Sequence, residues 1–335
     1  MSGMKRRAVW ALALFWAALL VCSVCLGRYE IAPREVAHIL LGGPADPTAA
    51  ALLFSIRLPR LALVAFSGGA LAVAGLVYQT VFSNPLASPD VLGVASGASV
   101  GAAAAMLLFP GAFILRQGMA FGCGLAAVAA ALYLARFVRH NRVLGLVLAG
   151  IVVGGVSEAL LMMLKFCADP QRQLPAIEYW LMGGFQNARW RDAAAVAVLM
   201  LAAGGLLHLL RFPMKALSLG DERAWGLGIS PQRLRLGAVA CATVLVAAVV
   251  SVAGVVSWVG LIAPHMARLL GARDIVKSMP AVFFMGSALL LLADLLARTL
   301  SAAEIPVSIF TSFFGASALG IFLVCGALQR KGDAL

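Results

Sequence analysis

Residues 8–27 carry no charged side chain, and residues 279–296 carry one, Asp294. Each run can cross the hydrocarbon core of a bilayer, which takes about 20 mostly apolar residues per helix. In lipid every backbone group must bond within its own segment or within a closed barrel. The runs do not alternate apolar with polar residues, as barrel strands do, so the chain reads as all-α and polytopic. Composition agrees: 62% of the 335 residues are hydrophobic and 12% charged, where a soluble domain carries about 25% charged residues.

The run lengths give about ten helices, over residues 8–27, 61–82, 91–109, 118–138, 143–167, 192–211, 235–256, 258–270, 279–299 and 307–327. The eighth is too short to cross unless the bilayer thins or the helix is broken and packed inside protein. No hydrophilic block is large enough for a soluble domain, so residues 1–335 form a single membrane domain. Two connecting stretches, 28–58 and 212–234, are long enough to act outside the bilayer.

The net charge of +12 would suit a nucleic acid, but its distribution follows a membrane topology. With the N-terminus in the cytoplasm, that side holds Lys5, Arg6, Arg7, Arg136, Arg139, Arg142, Arg211, Lys215, Arg223, Arg233, Arg235, Arg268, Arg273, Lys277, Arg330 and Lys331. These are 16 of the 26 basic residues, as the positive-inside rule requires. Both termini are then cytoplasmic, residues 28–58 face outward, and no nucleic-acid partner is needed. Lys5-Arg6-Arg7 before an apolar run has the layout of a secretory signal. The run is too long and lacks a small-residue cleavage site, so a retained first helix is expected.

Two short stretches match at a fixed distance. Ala72-Val73-Ala74-Gly75-Leu76-Val77 precedes Pro85 as Ser251-Val252-Ala253-Gly254-Val255-Val256 precedes Pro264, with an offset of 179 residues in both cases. In this topology the first runs inward and the second outward, as in the inverted repeats of transporters, although a chain rich in Ala, Val and Gly can produce such a match by chance. Gly97-x-x-x-Gly101 and Gly118-x-x-x-Gly122 are read as sites of close helix packing.

Residues 212–234 predict a short amphipathic helix, a break at Gly220, a second helix starting at Asp221-Glu222 and another break at 226–228. Leu217, Leu219, Trp225 and Leu227 are apolar side chains in a cytoplasmic loop. They would either lie in the membrane interface or form a surface for a protein partner.

Catalysis finds little support. His38, His140, His208 and His265 are scattered, with no H-E-x-x-H pair, and no G-x-x-x-x-G-K-[ST] loop exists to bind ATP. Cys22 and Cys25 form a C-x-x-C, but without a βαβ context. With Cys123, Cys167, Cys241 and Cys325 they read as small apolar helix residues. No metal or cofactor site is expected.

A series of short signatures remains: Arg57-Leu-Pro-Arg60, Asn84-Pro-Leu-Ala-Ser-Pro-Asp-Val-Leu-Gly93, Tyr179-Trp-Leu-Met-Gly-Gly-Phe185, Leu217-Ser-Leu-Gly-Asp-Glu-Arg223, Gly260-Leu-Ile-Ala-Pro-His-Met-Ala-Arg268 and Ala293-Asp-Leu-Leu-Ala-Arg298. In this order they resemble the FecCD-type permease subunits of ATP-binding-cassette importers for iron chelates, haem and cobalamin, over nearly the whole chain. The resemblance implies a type II importer permease with two inverted four-helix repeats in the inner membrane of a bacterium. It implies a homodimer with a path along its axis, two ATPase subunits below and an extracytoplasmic binding protein above. The chain itself would then be a transport subunit and not an enzyme, with iron–siderophore the leading cargo, followed by haem and cobalamin.

By the same resemblance Arg57, Arg60 and Arg298 are outward arginines that meet acids of the binding protein, a task suited to the planar guanidinium. They could instead snorkel or pair internally, and Asp294 stands one turn before Arg298. Ala216, Leu217, Leu219, Gly220, Asp221 and Arg223 fall in the segment that couples to the ATPase. Glu158 is an acid deep within an otherwise apolar helix, a functional candidate by default. With Ser157 and Asn84 it is assigned to the path, though a structural hydrogen bond would serve Glu158 as well. Asn84, Pro85 and Pro264 more naturally shape helix breaks. An ion-driven secondary transporter is the alternative. It would need midplane acids, for which the sequence offers only Glu158, and it has no use for the apolar cytoplasmic loop.

Overall fold

The structure is a computed structural model that describes residues 6–27, 29–43, 46–138, 142–272, 274–301 and 303–332. Lys5, Arg139, His140 and Arg273 lie outside the described residues. So does the side chain of Cys325. Among the described residues the chain is helical throughout, without a strand.

In chain order the helices are α1 (Arg6–Cys25), α2 (Pro33–Leu40), α3 (Pro47–Leu52), α4 (Leu58–Val81), α5 (Val94–Leu108), α6 (Phe113–Ala135), α7 (Arg142–Cys167), α8 (Gln173–Leu181), α9 (Trp190–Leu199), α10 (Gly205–Leu209), α11 (Arg211–Leu217), α12 (Asp221–Gly226), α13 (Pro231–Ala253), α14 (Val259–Leu269), α15 (Ile275–Thr299) and α16 (Val307–Gly332). Seven of the helical stretches are long and apolar enough to cross a membrane, and α5 and part of α16 are shorter apolar helices. With α14 they account for the ten expected segments. The elements α2, α3, α8, α11 and α12 are short additions at the two ends of the bundle.

Two spans contain π-helical turns, at Leu53–Arg57 and Met200–Gly204. The first has a local cause. Pro59 has no N–H to give to the carbonyl of Ser55, so the chain adopts the wider register just before α4.

α4 is the central post. It is buried on nearly all sides from Ser67 to Gln79, because its small residues admit neighbouring backbones. A methyl added at Gly68 would fall 2.4 Å from the carbonyl oxygen of Gly286 on α15, and one at Gly75 would fall 1.8 Å from that of Gly260 on α14. Close backbone approach of this kind replaces the hydrophobic effect as the force between helices in lipid. Gly97 and Gly101 bring α5 against α6 in the same way, beside Ala127 and Met119. Gly118 and Gly122 do not: a methyl added at either would meet no neighbouring element within 4 Å among the described residues. α6 meets α5 instead through the face of Ala120 and Gly124, which are buried.

α4 and α13 run antiparallel. Tyr78 donates to Thr243 Oγ1 at 3.1 Å, and Arg235 Nε reaches the carbonyl oxygen of Val81 at 3.5 Å. The stretches matched at offset 179 differ in local structure. Residues 72–77 lie inside α4, whereas α13 stops at Ala253 and the chain then turns through Gly254 (φ 71°) and Trp258 (φ 72°). A side chain at Gly254 would meet the carbonyl oxygen of Trp180 at 2.2 Å. α14 therefore begins inside the bundle beside Gly75 and spans only 11 residues, a broken helix enclosed in protein. α1 packs on α15, where Trp16 Nε1 donates to Ser287 Oγ at 2.8 Å and the indole meets Phe284 edge-on.

Candidate functional site: two ends of one bundle

The bundle has one end where α1, α13 and α15 finish and α4, α9 and α16 begin. The opposite end carries α11, α12 and the start of α13. In the topology expected from the sequence, the first is the outer end and the second the inner end.

At the outer end Arg57, Arg60 and Arg298 form one cluster, all turned inward. Arg57 is 8% exposed and donates to the carbonyl oxygens of Val24, Cys25 and Tyr29. Arg298 donates to the carbonyl oxygens of Ser23 and Leu26 and to Ser23 Oγ. Two guanidinium groups thus hold the C-terminal end of α1, where unpaired carbonyls and the helix dipole favour a cation. Arg60 is pinned by two acids, with Asp294 Oδ1 at 2.9 Å from Nη2 and both oxygens of Glu304 at 2.9 Å from Nη1. Asp294 also stands 3.5 Å from Arg298 Nε. Three arginines against two carboxylates leave one positive charge in excess. Asp294 was legible as the i,i+4 neighbour of Arg298. Glu304 follows the end of α15 and carried no pattern to reveal it.

At the inner end α11 and α12 form the expected helix pair about a turn at Gly220 (φ 109°). Ala216 and Leu217 are buried, the latter in the main core, so Leu217 is not part of the outward ridge. That ridge consists of Leu219, Trp225 and Leu227, exposed by 53%, 61% and 66%, with Arg223 exposed beside it. Two ion pairs fix the turn to long helices. Asp221 takes a bidentate pair from Arg235 of α13 at 2.7 and 2.8 Å, and Lys215 Nζ stands 2.7 Å from Asp274 at the head of α15. In the sequence Arg235 stands out only as one of the cytoplasmic charges expected from topology.

The path residues Glu158, Ser157 and Asn84 do not converge within one chain. Ser157 is buried, while Glu158 is exposed on the face of α7 that it shares with Ile151 and Met162. Consecutive helix residues point about 100° apart. Asn84 follows the inner end of α4, where its Oδ1 accepts from the backbone N–H of Leu86 at 2.9 Å.

The sequence reading missed Asp90. Residues 84–93 do not stay at the surface but re-enter the bundle. Val91 abuts Gly150 of α7, Pro89 abuts Gly260, and Asp90 shares a small cavity with Leu71 and Trp258. Leu71 is ten residues from the inner end of α4, about 15 Å along the helix. Asp90 is thus a second acid at depth beside Glu158, exposed in the single chain. The short α5, preceded by Ser-Pro-Asp, was the available signal.

Comparison with known proteins agrees with this geometry. The chain is 35% identical to the vitamin B12 import system permease protein of Escherichia coli, over 86% of this chain and 85% of that one. It is 34% identical to the Fe(3+)-citrate import system permease protein of Bacillus subtilis, over 86% and 85%. It is 32% identical to the molybdate import system permease protein of Haemophilus influenzae, over 86% of each. A solved ATP-binding-cassette transporter of metal-chelate type, in an inward-facing conformation, superposes with a TM-score of 0.86 at 31% identity, covering 96% of this chain and 99% of the other. A ten-helix bundle with these likenesses defines a permease subunit of an ATP-binding-cassette importer. Residues 14–325 match the model of the FecCD transport family, and the chain belongs to that family.

Proposed function

We propose that the chain carries an iron chelate into the cytoplasm as one of two copies in an importer of the inner membrane, with haem and cobalamin as the next candidates. ATP would be hydrolysed by two separate subunits seated under the ridge of Leu219, Trp225 and Leu227. The observation that supports this reading is that ridge: large apolar side chains are exposed at the inner end, on a turn held by ion pairs to α13 and α15. A free loop would let those side chains collapse, and an interfacial helix would not need two bracing pairs.

A binding protein would dock at the opposite end. The one excess positive charge of the Arg57, Arg60 and Arg298 cluster supports an acidic partner there, with the binding protein's carboxylates competing for guanidinium groups now held internally. Glu158 sits on an apolar face where an uncovered acid is costly, which supports a second copy along α7 with the path between. Ser157 and Asn84 remain assigned to that path.

The test is reconstitution in proteoliposomes with the cognate ATPase and binding protein. ATP-dependent uptake of a ferric siderophore is expected. Uptake driven by an ion gradient without ATP would overturn the reading.

A further inference from the structure

A second outer-end feature lies away from the arginine cluster and is used by nothing above. Between α6, α8, the loop 183–189, α9 and the end of α13 the chain encloses a cavity of about 260 Å³, many times the roughly 30 Å³ share of one water molecule. Arg116, Arg189 and Arg191 line it, against one carboxylate, Asp192. Asp192 is already engaged: Gln117 Nε2 donates to its Oδ1 at 3.2 Å, and Arg191 Nε stands 3.6 Å away. Arg116 and Arg189 have no carboxylate partner among the described residues. Both guanidinium groups lie against the ring of Phe113, at 4.7 and 5.9 Å from its centroid.

Two like charges gathered on one ring repel each other unless an anion sits between them. Two further donors on this wall are buried without a hydrogen-bond partner among the described residues, Arg116 Nε and the indole Nε1 of Trp180. Buried donors are nearly always paired, so the polar wall of this cavity is not satisfied by the chain alone. Gln186, Asn187 and Arg189 at the mouth are exposed, which leaves a way in.

We propose that this cavity is a binding site for an oxyanion, a phosphate or carboxylate group, with Arg116 and Arg189 as its cationic walls. An anionic lipid headgroup of the outer leaflet and a free solute anion share this chemistry, and the experiment separates them. Delipidated protein in detergent would be examined by native mass spectrometry with phosphatidylglycerol or phosphatidylcholine, and by thermal unfolding with citrate or inorganic phosphate at constant ionic strength.

Selective retention of phosphatidylglycerol identifies a headgroup site. A rise in the unfolding midpoint with citrate or phosphate identifies a solute site. Either signal should weaken about tenfold in affinity in Arg189→Gln, equivalent to about 1.4 kcal/mol, and further in Arg116→Gln. Arg189 is exposed, so its variant tests the site even where Arg116→Gln fails to fold. Absence of both signals in the wild type, or binding undiminished in Arg189→Gln, would overturn the proposal.

Discussion

The two ends of the bundle use charge in opposite ways. At the outer end Arg57 and Arg60 are buried and Arg298 partly so, and all three hold α1, α4, α15 and the Glu304 segment together. At the inner end the ion pairs are half exposed, and what they hold in place is a set of apolar side chains facing water. Buried charges that lose a partner are strongly destabilising, whereas exposed pairs contribute little to stability. Outer-end substitutions should therefore act first on folding, and inner-end substitutions on work transmitted through a folded protein.

The largest effect is expected for Arg60→Met. It leaves Asp294, 1% exposed, and Glu304 without their main cation, at a cost of about 3–5 kcal/mol. Thermal unfolding in detergent should show a large drop, partly recovered in the double variant Arg60→Met with Asp294→Leu. If Arg60→Met unfolds like wild type, the cluster is not a structural clamp.

Arg57→Gln and Arg298→Gln should each cost about 1.5–3 kcal/mol, the range for hydrogen bonds from charged groups. Both free the same helix end, so protease accessibility of the α1–α2 connection should rise in each. Loss of stability without that local opening would contradict the assignment. Arg57→Glu with Arg60→Glu should also weaken capture of the binding protein at low salt; equal affinity in surface plasmon resonance would remove the docking role.

Much of this division was legible in the sequence. Long apolar runs located every long helix, and the short run at 258–270 announced a helix too short to cross unaided. Gly220 and Asp221-Glu222 marked the helix pair at the inner end. Directions of side chains were not legible. Arg57 and Arg60 are expected by resemblance to meet a partner's acids, with internal pairing the alternative, and the open carbonyls at the end of α1 draw Arg57 inward. Leu217 read with Leu219 as one ridge, but they fall on opposite sides of the α11 terminus. Gly118 and Gly122 had the spacing of a packing motif, and spacing alone does not say which face meets a neighbour. Asp90 escaped because its depth follows from the path of residues 84–93, which composition does not encode.

Asp221→Asn should change stability by less than about 1 kcal/mol, since its pair with Arg235 is half exposed. It should nonetheless raise the ATP consumed per chelate imported, because the turn loses its bidentate hold on α13. Exchanging the charges, Asp221→Arg with Arg235→Asp, should restore part of the ratio. An unchanged ratio in Asp221→Asn would show that the turn is held by packing alone.

The smallest effect on folding and the most direct on function belongs to the ridge. Leu219→Asp with Trp225→Asp replaces two exposed apolar side chains and should leave the unfolding midpoint within about 1 °C, as surface changes usually alter stability by less than 0.5 kcal/mol. Uptake of a ferric siderophore by proteoliposomes containing this variant, its ATPase and the binding protein is the deciding measurement. The account predicts ATP-dependent uptake by the wild type and loss of uptake, together with loss of ATPase co-purification, in the double variant. Wild-type uptake by a variant that has lost its apolar ridge would contradict it.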